Sequence, residues 1–329
     1  MKHLLLPLFL FLFLQQVQGQ DSAAQLRFLE TPDSLHKGRF YTALISGSLI
    51  YSGLMIGLNE AWYADFPRSK FHFFDDSREW EYMDKAGHFM TTYYESHCSF
   101  MGARWTGIPR RKAMWLGAGL GLLYQTSIEV LDGFSTKWGF STYDMMANTL
   151  GAGLFVGQEL LWQEQRILMK FSSLPPTYEE QIFIDQFGNE QSLQARVDDL
   201  YGTTLPERIL KDYNGQTIWT SFNINALHNN ENTKIPDWLN VALGFGANNM
   251  FGGFSNKWEV NEEGDFFQIP DGTLTRYSQF YISPDIDWTR IKTKSPLLKT
   301  FLFLLNGLKV PAPAMGINTN GKVRFWWLR

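Results

Sequence analysis

The stretch that decides the reading runs from Asp84 to Gly151. It opens Asp84-Lys85-Ala86-Gly87-His88, continues through Glu95, Gln125 and Glu129-Val130-Leu131-Asp132-Gly133, and closes Gly139-Phe140-Ser141-Thr142-Tyr143-Asp144 and Asn148-Thr149-Leu150-Gly151. Apolar residues fill most of the intervening positions, so these segments read as buried helices. A carboxylate, amine or imidazole is costly to bury unless it is paired. A set of them on apolar helices therefore either holds the helices together or binds something.

Placed on a helix of 3.6 residues per turn, Trp80, Asp84, His88, Thr91 and Glu95 share one face. Gln125, Glu129 and Asp132 align on the next segment, and Asp144 and Asn148 stand one turn apart on the following one. The candidate polar cluster is Asp84, Lys85, His88, Glu95, Gln125, Glu129, Asp132, Asp144 and Asn148. Three uses are open to it. It can be an interhelical network without a ligand, since buried polar groups must be paired in any case. It can receive a polar head group or perform acid–base chemistry with His88 as proton carrier. It can also bind a divalent cation, although a single His and the absence of Glu-x-x-His weaken that option. The network is the leading expectation, with no cofactor and no metal. Ser141-x-x-Asp144 also matches a helix-capping pattern, and Asp132-Gly133 a turn.

Outward from this stretch, Thr31-Pro32-Asp33 reads as a helix start. Phe40–Asn59 is uncharged and about long enough to cross a bilayer. Asp76 or Ser77 is expected to cap the second helix, which runs to about Met101. The third is expected over Ala113–Leu131 and the fourth from Ser141 to about Lys170. Gly53/Gly57, Gly117/Gly121 and Gly153/Gly157 each form Gly-x-x-x-Gly, a flat stripe that lets another backbone approach. Three such stripes predict a tight, glycine-rich four-helix bundle in or against a membrane.

After Leu174-Pro175-Pro176 the character changes. Asn214-Gly215 predicts a hairpin, and Ile218–Ile224 alternates imperfectly. Pro236–Gly253 is apolar, and periodicity does not decide between helix and strand. In Phe280–Thr289, Phe280, Ile282, Ile286 and Trp288 face one way and Ser283, Asp285 and Asp287 the other. The aspartates are expected on a solvated face, with Pro284 marking an edge or bulge. Val323–Arg329 is strand-like. The fold class is α+β: a signal peptide over 1–19, a helical bundle over 31–171 and a mixed, strand-containing region over 177–329.

Met1-Lys2-His3, the apolar run to Leu14 and Val17-Gln18-Gly19 have the form of a secretory signal cleaved after Gly19. The lone Cys98 lies far from that site, so neither lipid acylation there nor an intrachain disulfide is expected. Formal net charge is −4 and no long basic tract is present, which argues against nucleic acid as partner. No phosphate loop, Gly-x-Ser-x-Gly or zinc pattern occurs.

The motifs Asp84-Lys85-x-Gly87-His88, Glu129-x-x-Asp132-Gly133 and Gly139-Phe140-Ser141-x-x-Asp144-x-x-x-Asn148-x-x-Gly151 resemble the YfiM-like predicted periplasmic lipoproteins of the domain of unknown function 2279. Lys211-Asp212-Tyr213-Asn214-Gly215-Gln216-Thr217-x-Trp219 and Trp238-Leu239-Asn240 with Gly244-x-Gly246-Ala247 resemble that family's longer members. The order of the polar motifs is more distantly similar to VanZ-like membrane proteins, small helical bundles linked to glycopeptide resistance. The resemblance implies an exported, periplasm-facing envelope protein, in the inner or the outer membrane, and supplies no reaction. The expected role is a structural or interaction subunit that contacts membrane lipid and protein partners of an envelope assembly. The rival is an enzyme or binding protein acting on an envelope lipid or cell-wall precursor through His88, Glu129 and Asp132.

Overall fold

The computed structural model describes residues 27–64, 66–228, 234–260 and 265–329. The signal peptide expected over 1–19 lies outside them. The chain is α+β, with a helical N-terminal region followed by an antiparallel sheet.

Helix α1 (Lys37–Leu58) runs on into a π-helical turn, Asn59–Tyr63. It starts later than Thr31-Pro32-Asp33 suggests, because His36 takes the cap position and its ring accepts from Arg39 N at 3.2 Å. A 3-10 turn, Glu79–Tyr82, leads into α2 (Met83–Trp105). Asp76 and Ser77 do not cap α2, since Trp80, Glu81 and Tyr82 all have positive φ and separate them from it. Helices α3 (Arg110–Gly133) and α4 (Thr142–Leu161) follow. The fourth helix stops well short of Lys170. Its last carbonyls are capped by Trp162 N and Gln163 N, and Gln158 Oε1 accepts from the backbone N of Arg166 and Ile167, turning the chain into a strand.

That strand is β1 (Ile167–Ser173), the edge of a six-stranded sheet. The others are β4 (Gln216–Asn223), β5 (Leu239–Asn248), β8 (Tyr277–Ile286), β9 (Ala314–Asn318) and β10 (Val323–Trp326). Their order is β1-β4-β5-β8-β9-β10, every pair antiparallel. Two small hairpins, β2 (Ile182–Ile184) with β3 (Glu190–Ser192) and β6 (Lys257–Glu259) with β7 (Phe266–Gln268), flank it. The remaining helices are α5 (Leu193–Tyr201), α6 (Leu205–Lys211), α7 (Ile224–His228) and α8 (Pro296–Leu305). Pro236–Gly253 thus resolves as a strand. β8 pairs with β5 along its whole length but with β9 only over Gln279–Ile282, so Pro284 lies where one side of the strand has no partner strand.

Asn214-Gly215 does not make a hairpin. It forms the turn from α6 into β4, and the Asn214 amide is a hub. Its nitrogen lies within 3.2 Å of the Tyr178 and Tyr201 hydroxyls, Asp212 and Met250 O, and its oxygen accepts from Met250 N. Gly215 is needed because a Cβ there would fall 2.8 Å from Leu174 O. A local dipeptide signal yields here to a side chain with three distant partners, Tyr178, Tyr201 and Met250.

The sheet is polar on its buried face. Asp285 and Lys170 are wholly buried and paired at 2.9 Å, and Asp285 also accepts from Ser221 Oγ at 2.6 Å. Asn240 donates to Ser221, and Asn223 to Asn240. The expectation of a solvated Asp285/Asp287 face is therefore corrected. Lys170 and Lys309 approach Asp285 from β1 and the chain after α8 and draw it inward. Phe280 and Met315, on the opposite face, are each about half exposed. Where α2 crosses that apolar face, Met83 and Tyr93 share one core with Met169 and Ile218.

Helices α2, α3 and α4 pack closely, and α1 lies along the outside with no buried residue. Of the three Gly-x-x-x-Gly stripes, only Gly117/Gly121 serves close packing. A Cβ at Gly117 would meet Ser96 O at 2.6 Å, and one at Gly121 would meet Ser96 Oγ at 2.4 Å. Gly53, Gly57, Gly153 and Gly157 face open space, and on α4 the contact glycine is Gly151, 2.2 Å from Phe89 O. Spacing along one helix does not reveal which side a neighbour occupies.

Candidate polar centre

The antiparallel run of α2, α3 and α4 brings the start of α2, the end of α3 and the start of α4 to one end of the helical region. Capping fixes the last of these. Ser141 Oγ accepts from Asp144 N at 3.0 Å, the expected N-cap. The reciprocal bond of a capping box is not made by Asp144. Glu129, from α3, accepts from Ser141 N at 3.1 Å instead. The Asp144 carboxylate is thereby released for the interior.

Lys85 gathers three carboxylates from three segments: Asp76 Oδ2 at 2.6 Å, Asp144 Oδ1 at 2.9 Å and Asp84 Oδ2 at 3.0 Å. His88 Nε2 faces Glu129 Oε1 at 3.5 Å, Asp84 Oδ1 at 3.8 Å and Asp144 Oδ1 at 4.0 Å. Its Nδ1 lies 3.2 Å from Asn148 Oδ1, which also accepts from Thr92 Oγ1 at 2.8 Å. Asp132 accepts from the Tyr63 hydroxyl at 2.7 Å. Glu95 and Gln125 are not part of this centre. They pair with each other, Gln125 Nε2 donating to Glu95 at 3.0 Å.

Seven of the nine candidates therefore converge: Asp84, Lys85, His88, Glu129, Asp132, Asp144 and Asn148. Sequence reasoning missed four partners. Asp76, expected only as a helix cap, bonds Lys85 and accepts from Ser141 Oγ at 2.5 Å. Thr92, not Thr91, reaches the centre. Tyr63 and Tyr213 close it from outside, Tyr213 donating to Asp84 Oδ1 at 3.2 Å. No periodicity could have found these two, because the folded chain brings them in from beyond the three helices. Trp80 shares the helical face on paper, but its ring packs against Tyr213 and Tyr201.

Electrostatics reflect the crowding. Burial raises the Asp76 carboxyl, but hydrogen bonds with Asp144, Lys85 and Ser141 outweigh it and hold the group below the usual carboxylate range. Glu79, in the turn before α2, goes the other way. Burial and the nearby Asp84 charge push it up to about 7 against the pull of Lys85. Chemically the centre can hold a proton or a cation between His88 and its carboxylates, and it ties three helices and a loop to the sheet through Tyr213.

No curated protein and no solved structure matches this chain. A family model, the domain of unknown function 2279, described as a predicted periplasmic lipoprotein, matches residues 72–158. That span holds the whole polar centre except Tyr63 and Tyr213, and the match fits an exported cell-envelope protein that carries this domain.

Proposed function

We propose that this is a membrane-attached structural or interaction protein of the cell envelope. The observation that carries the reading is α1. With the turn after it, Lys37–Tyr63 is a 27-residue helical run, apolar enough to cross a membrane and with none of it buried. A water-soluble helix of that composition would bury one face. The surface beside it has the same character: Trp115 and Leu123 on α3 and Met146 and Leu150 on α4 are exposed. The polar centre acts as the clamp that fixes the helices to one another and to the sheet, and the sheet's exposed apolar face serves a lipid or an envelope partner.

The test is separation of inner and outer membranes followed by carbonate extraction. Retention in the membrane pellet supports insertion, and the fraction names the membrane. Release into the soluble fraction overturns the reading.

A second reading, action on an envelope lipid or cell-wall precursor, rests on His88 Nε2 facing Glu129 and on the distant resemblance of the motif order to VanZ-like proteins. Asp132, the third member of that site, is occupied by the Tyr63 hydroxyl. His88→Ala, Glu129→Gln and Asp144→Asn separate the readings. Loss of function with folding intact contradicts a purely structural centre.

A further inference from the structure

Around His88, acidic side chains outnumber basic ones. Five carboxyl groups (Asp76, Asp84, Glu129, Asp132 and Asp144) meet there, and among the described residues Lys85 is the one lysine or arginine in contact with them. Lys85 takes Asp76 Oδ2, Asp144 Oδ1 and Asp84 Oδ2, and the Tyr213 hydroxyl donates to Asp84 Oδ1. Glu129 is 1% exposed, and its Oε1, aimed at the imidazole, accepts no hydrogen bond.

The histidine is oriented for a cation. The Asn148 amide nitrogen points to Met145 Sδ, 4.0 Å away, so its oxygen faces both Thr92 and His88. With the amide in this orientation its oxygen accepts, the imidazole proton is assigned to Nδ1, and the lone pair is on Nε2. That lone pair looks at three carboxylate oxygens from three helices. Asp144 Oδ1 has Lys85 beside it and Asp84 Oδ1 has the Tyr213 hydroxyl, but Glu129 Oε1 and the Nε2 lone pair face each other at 3.5 Å with nothing positive between them, an arrangement that a cation there relieves.

We propose that a first-row divalent metal ion of the Zn²⁺ or Mn²⁺ class binds between His88 Nε2, Asp84 Oδ1, Glu129 Oε1 and Asp144 Oδ1. The ligand atoms of Asp84, His88 and Asp144 already lie within 4.8 Å of one another. Zinc bonds of about 2.0–2.2 Å in a tetrahedron imply ligand separations of roughly 3.3–3.6 Å. The carboxylate oxygens stand 3.5–4.0 Å from Nε2, at or a few tenths of an ångström beyond that separation, and the oxygens of Asp84 and Asp144 lie within 4.8 Å of each other, so binding draws the carboxylates together, Glu129 from outside that group. The imidazole selects this class over Ca²⁺ and Mg²⁺, which prefer all-oxygen shells. The groups behind the ligands also suit a metal site: Asn148 fixes the imidazole, Ser141 N holds the other Glu129 oxygen and Lys85 the other Asp84 oxygen. His88 and Asp84 keep 13% and 21% of their side chains exposed, which gives an ion a way in. The inference deepens the reading of the centre as an interhelical clamp and does not depend on membrane insertion.

The test uses the full chain, solubilised in mild detergent, stripped with chelator and titrated separately with Zn²⁺ and Mn²⁺ by calorimetry. Circular dichroism checks folding, and elemental analysis follows desalting. One ion per chain is expected, with a raised unfolding temperature. Asn148→Ala should weaken binding about 10- to 100-fold. Glu129→Gln should weaken it at least tenfold, and Glu95→Gln, outside the four ligand atoms, should leave it unchanged. If Glu129→Gln does not fold, Asp84→Asn on the more open side replaces it. No saturable binding by the folded protein, or unchanged affinity in the folded ligand variant, overturns the proposal. Neither result bears on carbonate extraction, so the two readings fail independently.

Discussion

Alanine at Gly151 and alanine at Gly153 should have opposite consequences, although the two glycines are two residues apart on one helix. A Cβ at Gly151 would lie 2.2 Å from Phe89 O and 3.2 Å from Tyr93 N. Both are backbone atoms of α2, so no rotamer change relieves the clash, and α2 and α4 must move apart by about 1 Å to restore van der Waals contact. Overpacking of this kind costs about 1–3 kcal/mol. The higher helix propensity of alanine returns roughly 1 kcal/mol. At Gly153 nothing lies within 4 Å, so only the propensity gain applies. The two variants should therefore differ by about 1–3 kcal/mol, with Gly151→Ala the less stable. Gly117→Ala should behave like Gly151→Ala, because Ser96 O and Phe100 N stand 2.6 and 2.9 Å away. Gly157→Ala should behave like Gly153→Ala. The assay is denaturant or thermal unfolding of all four variants in one detergent, so that solvent effects cancel in the differences. If Gly151→Ala and Gly153→Ala agree to within about 0.5 kcal/mol, the resolution expected for independent sites, the assigned helix contacts are wrong.

Two further outcomes follow from buried charge. Lys170 and Asp285 are fully buried and paired, so Lys170→Met should cost about 3–5 kcal/mol by leaving the carboxylate without its main partner. Combined with Asp285→Asn it should cost clearly less than the sum of the single changes, which a double-mutant cycle by denaturant unfolding reads directly. Glu79 supplies a pH signature. Its folded pKa of about 7 lies above the ordinary value near 4.5, so its favourable contribution is complete below pH 4.5 and is lost as pH rises to about 7. The loss is at most about 3.5 kcal/mol, from about 1.4 kcal/mol per unit. Unfolding curves across this window should show it in the parent chain and not in Glu79→Gln. An unchanged slope in the variant refutes the assignment.

The polar helical core was legible because its residues are local and periodic. Asp84 and His88, Gln125 and Glu129, and Asp144 and Asn148 each repeat at one helical turn within apolar sequence, and that pattern alone puts each pair on one face. It could not tell Asp84 and His88, which enter the centre, from Glu95, which pairs with Gln125 farther along the same face. Nor could it find Tyr63, Asp76 or Tyr213, whose approach depends on loop paths with no repeating pattern. The Phe280–Ser283–Asp285 alternation correctly separated two faces of a strand. On sequence alone the charged face is expected to meet water, and Lys170 reverses that by supplying a buried counter-charge from a strand far away in sequence.

By itself, then, the sequence determined the α+β class, the apolar α1 and the division of each helix and strand into faces. These follow from backbone periodicity and side-chain polarity, which act over a few residues. Only the tertiary structure decided which faces meet. It selected Gly117, Gly121 and Gly151 for close contact, turned Asp285 inward, and put Lys85 and His88 among five carboxylates from four segments. Such choices depend on pairwise distances between residues remote in the chain, and on whether a buried charge finds its partner.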